Sequence, residues 1–211
     1  MKIRINTLFG GFKTSCVLCK LDTPVVKKSI CRACWQTMPW LSDSAISALD
    51  GHQVQAACHY AWPVDRLIHL YKYQGRLDLV PIFTDLMLQL PKPAVQAIVP
   101  APLSQRRLKQ RGFNQSLVLA KQLSIQWHIP IWQPLQRRHT VAQQHLTRTE
   151  RLSNLQQAFY VNHAQCRVIP RKVVVIDDVF TTGSTLSMIQ AQLLDLGVQH
   201  VEHRVIAKAE L

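Results

Sequence analysis

Two adjacent carboxylates, Asp177 and Asp178, precede the hydroxyl-rich run Thr181-Thr182-Gly183-Ser184-Thr185. These are the residues best suited to chemistry in the chain. Backbone N–H groups and hydroxyls in a small turn at a helix start favour a phosphate. Carboxylates beside such a turn can accept hydrogen bonds from sugar hydroxyls, or help hold a hydrated divalent cation. The segment therefore reads as a sugar-phosphate site. An ordinary strand-to-helix turn would account for Gly183 and the helix start. It would not account for two neighbouring charges at the rim of a sheet.

A second set of chemical residues lies near the N-terminus. Cys16 and Cys19 form one Cys-x2-Cys pair, and Cys31 and Cys34 form another. Each pair can present two thiolates from a tight knuckle, and together they complete the tetrahedral shell of structural Zn²⁺. Unliganded thiols and an iron–sulfur cluster are the alternatives, though the usual cluster spacings fit less well. Four thiolates leave no open position on zinc, so such a metal holds structure and does not activate water. Cys58 and Cys166 stand apart and read as unreactive.

The third set is cationic. Arg106, Arg107, Lys109 and Arg111 fall within six residues, between Pro100-Ala101-Pro102 and Gly112-Phe113-Asn114. This reads as a loop leaving a strand and feeding a helix, with Asn114 or Ser116 as its cap. Ligands of open α/β sheets bind at such strand ends. One loop is acidic and hydroxyl-rich and the other cationic, as a ligand carrying both a sugar phosphate and a pyrophosphate would require. A solvated run of charge is the plain alternative. Tyr71-Lys72-Tyr73-Gln74-Gly75-Arg76 interleaves aromatics with bases. That pattern can stack nucleobases and grip phosphates; equally, it can bury the aromatics and expose the bases.

The elements that must position these groups follow from periodicity. Val173 to Ile176 is a buried strand ending at the acid pair, and Leu186, Ile189, Leu193 and Leu196 give the next helix its apolar face. Gly197 ends that helix and Val201 to Ala207 is a final strand. Strand, helix, strand is the grammar of a parallel α/β sheet. Upstream, a helix carries Leu67, Leu70 and Tyr71 and stops at Gly75, and another spans Leu77 to Leu90. Val54 to Trp62, Ala94 to Val99 and Phe159 to Val161 read as strands, and Ser44 to Leu49 as a short helix. Arg137 to Gln157 is polar and reads as a mobile segment that orders over a ligand. His139 and His145 within it lack an evident acidic partner.

The 211 residues, 47% of them hydrophobic, suffice for one sizeable core and a small appendage. We expect residues 1–50 to form the cysteine module and linker, and residues 51–211 the α/β domain. No long charge-free apolar run exists, so no membrane insertion is expected. Met1 to Phe12 lacks the features of a secretory signal, which predicts a cytoplasmic protein. A formal charge of +13 points to polyanionic partners.

Val175-x-Asp177-Asp178-Val179-x-Thr181-Thr182-Gly183-Ser184-Thr185 resembles the phosphoribosyl-pyrophosphate (PRPP) signature of type I phosphoribosyltransferases. Several further segments widen the match. They are the four cysteines, Tyr71-Lys72-Tyr73-x-Gly75, Arg107-x3-Arg111-Gly112-Phe113-Asn114-Gln115, Arg138-x-Thr140-x2-Gln143 and Arg151-x2-Asn154. With them, the whole chain resembles the ComF/GntX family of competence-associated proteins. The resemblance implies a zinc finger followed by a type I phosphoribosyltransferase domain, in a cytoplasmic accessory factor for DNA uptake in natural transformation. It implies single-stranded DNA as a partner, alongside a DNA-translocating helicase and the recombination-loading machinery. Asp177 and Asp178 would meet ribose hydroxyls as the catalytic pair. Thr181, Thr182, Gly183, Ser184 and Thr185 would cradle the 5-phosphate. The Pro100–Arg106 loop would approach the pyrophosphate and its Mg²⁺, with Arg106 and Arg107 among the expected phosphate-binding residues. Tyr71, Lys72, Tyr73, Arg76, Lys109 and Arg111 are the expected nucleic-acid contacts. The alternative is an active phosphoribosyltransferase, in which a nitrogen acceptor displaces pyrophosphate from PRPP. No residues that would read an acceptor base are recognisable.

Overall fold

The computed structural model describes residues 15–21, 25–27, 29–41, 45–47, 53–138 and 158–210. The start of the chain and residues 139–157, which include His139, His145, Thr140, Gln143, Arg151 and Asn154, lie outside the described residues. Two compact units divide the chain, Met1–Thr37 and Met38–Leu211.

In the smaller unit, β1 (Val25–Lys27) pairs antiparallel with β2 (Ile30–Cys31), and α1 (Arg32–Gln36) follows directly. Ile30 is fully buried and Cys31 nearly so. Among the described residues of this unit so few apolar side chains are buried that they cannot offset the entropy of ordering them, which makes the four cysteines the candidates to supply what a core does elsewhere.

The larger unit begins with β3 (Ala45–Ser47) and β4 (Gln53–His59), followed by α2 (Val64–Gln74) and α3 (Val80–Met87). Next come β5 (Ala97–Pro100), α4 (Gln105–Arg111), α5 (Gln115–Trp127) and β6 (Leu135–Arg137). The last elements are β7 (Phe159–Val161), β8 (Lys172–Phe180), α6 (Ser184–Asp195) and β9 (His200–Lys208). A five-stranded sheet has the order β3-β4-β9-β8-β5. Its β4, β9, β8 and β5 are mutually parallel, and β3 is antiparallel to β4. The expected α/β architecture with a parallel sheet is present.

The inner strand β8 has neighbours on both edges. Val173, Val174, Val175 and Ile176 are all fully buried, as a continuous apolar run in a covered parallel strand requires. Each such side chain contributes about 1.5–3 kcal/mol by leaving water. Helices α3 and α5 pack on each other and against β4, β5, β8 and β9, while α6 packs on β9 and β7. Leu186, Ile189 and Leu193 of α6 share one buried cluster with Val173, Val175 and Val205.

Three elements differ from expectation. The segment read as a helix at Ser44 to Leu49 holds strand β3, whose Ala45 and Ile46 pair with Gln55 and Val54. A six-residue helix cannot recover its nucleation cost alone, whereas an edge strand borrows its partner's hydrogen bonds. The cationic loop contains α4, capped by Ser104, whose hydroxyl accepts from Arg107 N at 3.5 Å, and ended by Gly112 at φ 77°. Strand β8 does not stop at the acids but runs through them to Phe180.

Candidate active site

The acid pair lies near the carboxyl end of β8, where the neighbouring strands and their following segments converge. A cavity of about 300 Å³ opens there. Asp177, Asp178, Thr181 and Thr185 line it from β8, the turn after it and the start of α6. Arg107 and Arg111 line it from α4, Lys72 from α2, Gln115 and Ser116 from α5, and Arg137 from β6. Arg107 and Arg111 are four residues apart and so share one helix face. The lining thus carries four cations against two carboxylates. A polyanionic ligand would cancel the surplus.

Asp177 Oδ1 accepts a hydrogen bond from Ser116 Oγ at 2.9 Å and from the Asp178 backbone N–H at 2.9 Å. Burial, and then the neighbouring Asp178 charge, push its pKa up to about 6 from 3.8 despite those bonds. Asp178 Oδ1 meets Lys72 Nζ at 2.6 Å. Burial pulls the Arg137 guanidinium below its ordinary range, aided by the like charge of Arg107 and opposed by Asp177.

The turn after β8 depends on Gly183. Its φ of 77° lies in the left-handed region, and a Cβ there would stand 3.0 Å from the Phe180 ring. Thr182 and Ser184 hydroxyls lie 3.1 Å apart. The turn ends at the first residue of α6, whose N-terminal N–H groups favour an anion. Of the expected phosphate residues, Thr181 and Thr185 line the cavity together with Arg107. Arg106, one residue round the helix, is exposed and does not line it.

Helix α5 is capped by Asn114, not Ser116. Asn114 Oδ1 accepts from Leu117 N at 3.2 Å, and its amide nitrogen donates to Ala101 O at 3.1 Å. Ser116 is thereby free to hold Asp177. Either residue could have capped from sequence alone, and the one left over is a site residue. Gln115 is 2% exposed, and its amide nitrogen has no hydrogen-bond partner among the described residues. A buried donor facing a cavity this way is costly unless a ligand accepts from it. Gln115, Ser116, Arg137 and Tyr60, which also lines the cavity, were not among the expected site residues.

The expected nucleic-acid residues separate. Tyr71 is 1% exposed, packed between the rings of Phe83 and Phe113, with its hydroxyl donating to Gln115 O at 2.9 Å. It is a core residue and presents no face to a nucleobase. Lys72 turns into the cavity. Arg76 forms a two-pronged pair with Asp78 at 2.7 and 2.6 Å. Tyr73 remains 65% exposed, with the Arg111 guanidinium 5.2 Å from its ring centroid, and Lys109 is exposed. Trp62, 68% exposed, adds an aromatic surface that the sequence did not single out.

In the smaller unit the four cysteine sulfurs lie within 4.8 Å of one another, with Cys19 and Cys31 at 3.9 Å. A tetrahedral zinc–thiolate shell sets sulfurs about 3.8 Å apart. Backbone N–H groups of Cys31 and Cys34 point at Cys16 Sγ and Cys31 Sγ, at 3.4 and 3.5 Å. The cluster fits a metal ion. Cys58 is buried elsewhere, which pushes its thiol up to about 12 and leaves it inert. Among the described residues no helix is long and apolar enough to cross a membrane.

No family model matches the chain. Competence protein F of Haemophilus influenzae is 28% identical, over 96% of this chain and 100% of that protein. DNA utilization protein YhgH of Escherichia coli K12 is 33% identical, over 90% of this chain and 82% of that protein. Among solved structures, the glutamine phosphoribosylpyrophosphate amidotransferase from B. subtilis, complexed with ADP and GMP, covers 65% of this chain and 30% of that chain. Its identity is 16% and its TM-score 0.46.

Proposed function

The chain belongs to the ComF family of competence-associated proteins, and from that premise we propose that it is a cytoplasmic accessory factor in DNA uptake. In this reading it binds single-stranded DNA and retains a pocket for the phosphoribosyl group of PRPP. The observation that carries the reading is a cavity lined together by the Asp177–Asp178 pair, by Thr181 and Thr185 from the two ends of the turn, and by Arg107, Arg111 and Arg137. Carboxylates suit the ribose hydroxyls, the turn suits the 5-phosphate, and the guanidiniums suit a pyrophosphate or a strand backbone. Outside the cavity, the exposed Tyr73 ring under Arg111, with Lys109 nearby in sequence, offers a stacking and phosphate surface. Residues 1–50 carry the zinc module and a linker whose β3 edges the sheet of the phosphoribosyl domain, residues 51–211. A DNA-translocating helicase and a recombination-loading protein are the proposed protein partners.

Salt-dependent anisotropy of a labelled single strand tests the DNA part. We expect the logarithm of the affinity to fall linearly with the logarithm of salt concentration. Tyr73→Ala and Arg111→Ala should each weaken binding by about tenfold. Salt-insensitive or absent binding would sink it.

The cysteine cluster is assigned to structural Zn²⁺ held by Cys16, Cys19, Cys31 and Cys34. Four close thiolates repel one another, and a divalent ion offsets that repulsion and supplies the folding energy the small core lacks. Elemental analysis of purified protein should find stoichiometric zinc, lost in Cys19→Ser.

The second reading is catalysis, favoured by the Tyr60 side chain on the same cavity, an aromatic surface for an acceptor base. A nitrogen nucleophile would attack the anomeric carbon as pyrophosphate leaves toward Arg107 and Arg137. Asp177 and Asp178 would steady the ribose hydroxyls as positive charge builds on the ring. This predicts acceptor-dependent pyrophosphate release, abolished by Asp177→Asn together with Asp178→Asn.

A further inference from the structure

Besides meeting ribose hydroxyls, an acid pair of this kind can help hold a hydrated divalent cation. Its surroundings do not suit a divalent ion. Asp177 Oδ1 already accepts two hydrogen bonds, from Ser116 and from the Asp178 N–H. Asp178 Oδ1 is engaged by Lys72 Nζ at 2.6 Å, and both side chains are shielded, at 19% and 12% exposed. A hydrated magnesium ion needs near-octahedral oxygen ligation and gains from uncompensated negative charge. Here the carboxylates share the cavity lining with Lys72, Arg107, Arg111 and Arg137, so a dication would add to a positive surplus.

The position of Lys72 is built, not incidental. Its neighbour Tyr71 is locked between Phe83 and Phe113 and bonded to the Gln115 carbonyl. The following residue of α5, Ser116, holds Asp177. Two successive residues of α2 and two of α5 therefore tie the acid pair to both helices. None of the four belongs to the acid-pair-and-turn signature.

We propose that Lys72 is the resident cation of the acid pair: its ammonium pairs with Asp178 and aims that carboxylate, so that this cavity binds a 5-phosphorylated ribose without a divalent metal ion. The proposal rests on the reading of the cavity as a phosphoribosyl pocket. It makes Lys72 a positioning residue for the ribose hydroxyls, with no place on the strand-binding surface.

Calorimetry with ribose 5-phosphate, and in parallel with PRPP, tests it on the full chain in EDTA and again with magnesium. Wild type should bind ribose 5-phosphate equally in both buffers, within about threefold. Lys72→Met should lose about tenfold or more in EDTA, the worth of one charge-assisted contact, and recover part of that loss when magnesium is added. Lys72→Arg, which keeps the charge, should stay near wild type. A thermal melt of each variant confirms that it is folded. Two results would overturn the proposal: wild-type binding of ribose 5-phosphate that requires magnesium, or Lys72→Met that binds as wild type in EDTA. Folded wild type that binds neither ligand in either buffer would instead remove the phosphoribosyl reading beneath it, and the role of Lys72 with it.

Discussion

Arg204 on β9 and Lys72 on α2 each carry a positive charge into the interior of the larger unit, and each meets a carboxylate. Arg204 is 3% exposed; its guanidinium lies 3.2 Å from Glu202 Oε2, donates to the Pro91 carbonyl and sits 5.7 Å from the Trp127 ring centroid. Burial draws its pKa down while Glu202 draws it up. The protein itself supplies nearly all its partners, although Nε has none among the described residues. Lys72 and Asp178 are closer together, yet their pair opens onto a 300 Å³ cavity lined by three further cations. A closed pair can only hold structure. An open one leaves oxygen atoms and field for a ligand, and accepts poorer solvation in return.

The contrast predicts unequal costs. Arg204→Ala removes a buried side chain and leaves the Pro91 carbonyl without its donor. It also takes from the partly buried Glu202 its nearer cation, leaving only His200 at 3.8 Å among its described ion-pair partners. We expect a loss of about 3 kcal/mol in urea unfolding. Ribose 5-phosphate affinity of the remaining folded protein should be unchanged. A loss below about 1 kcal/mol would mean that the closed pair is no more structural than the open one.

Asp177 sharpens the comparison from the other side. Its folded pKa, pushed up to about 6 from 3.8 by burial and by Asp178, means the folded state binds a proton more tightly than the unfolded chain. That stabilisation is complete below about pH 4 and is lost as pH rises through about 6. Asp177→Asn keeps an oxygen to accept from Ser116 and from the Asp178 N–H while removing the charge. It should therefore gain about 2 kcal/mol over wild type at pH 8, a gap that closes toward pH 4. A gap of constant size across that range would show that Asp177 ionisation does not strain the fold.

The sequence carried more about the scaffold than about this network. Val173 to Ile176 and the turn at Gly183 were legible because their signals are local: an apolar run, then a residue able to adopt positive φ. The parallel sheet followed from strand, helix and strand in succession. Helix α4 was not legible as a helix, because its residues are nearly all basic or polar and show no apolar period. Tyr71 was read as both helix face and nucleic-acid contact. Its spacing from Leu67 carried the correct signal, since residues four apart share the buried face of α2. Lys72 follows Tyr71 by one position, about 100° further round the helix. Nothing in the sequence near Lys72 names Asp178 as its partner, because that carboxylate arrives on a different strand through the sheet topology.

That distant pairing leads to the smallest predicted change in stability. Lys72→Met retains most of the aliphatic stem, so packing beside Tyr71 is nearly conserved. What it removes is an ion pair that the cavity leaves partly solvated, whose net contribution to folding should stay within about 1 kcal/mol. Loss of the ammonium also leaves Asp178 beside Asp177 without its nearest counter-charge. The mutant's deficit should therefore grow with pH across the ionisation of Asp177, near pH 6, and shrink in acid where Asp177 is protonated. Urea unfolding at pH 5 and pH 8 checks both points. A deficit near that of Arg204→Ala, and equal at the two pH values, would make Lys72 a structural ion like Arg204 and erase the distinction between the two pairs. A small deficit that widens with pH would leave Lys72 and Asp178 as groups whose interaction energy is held in reserve for a ligand.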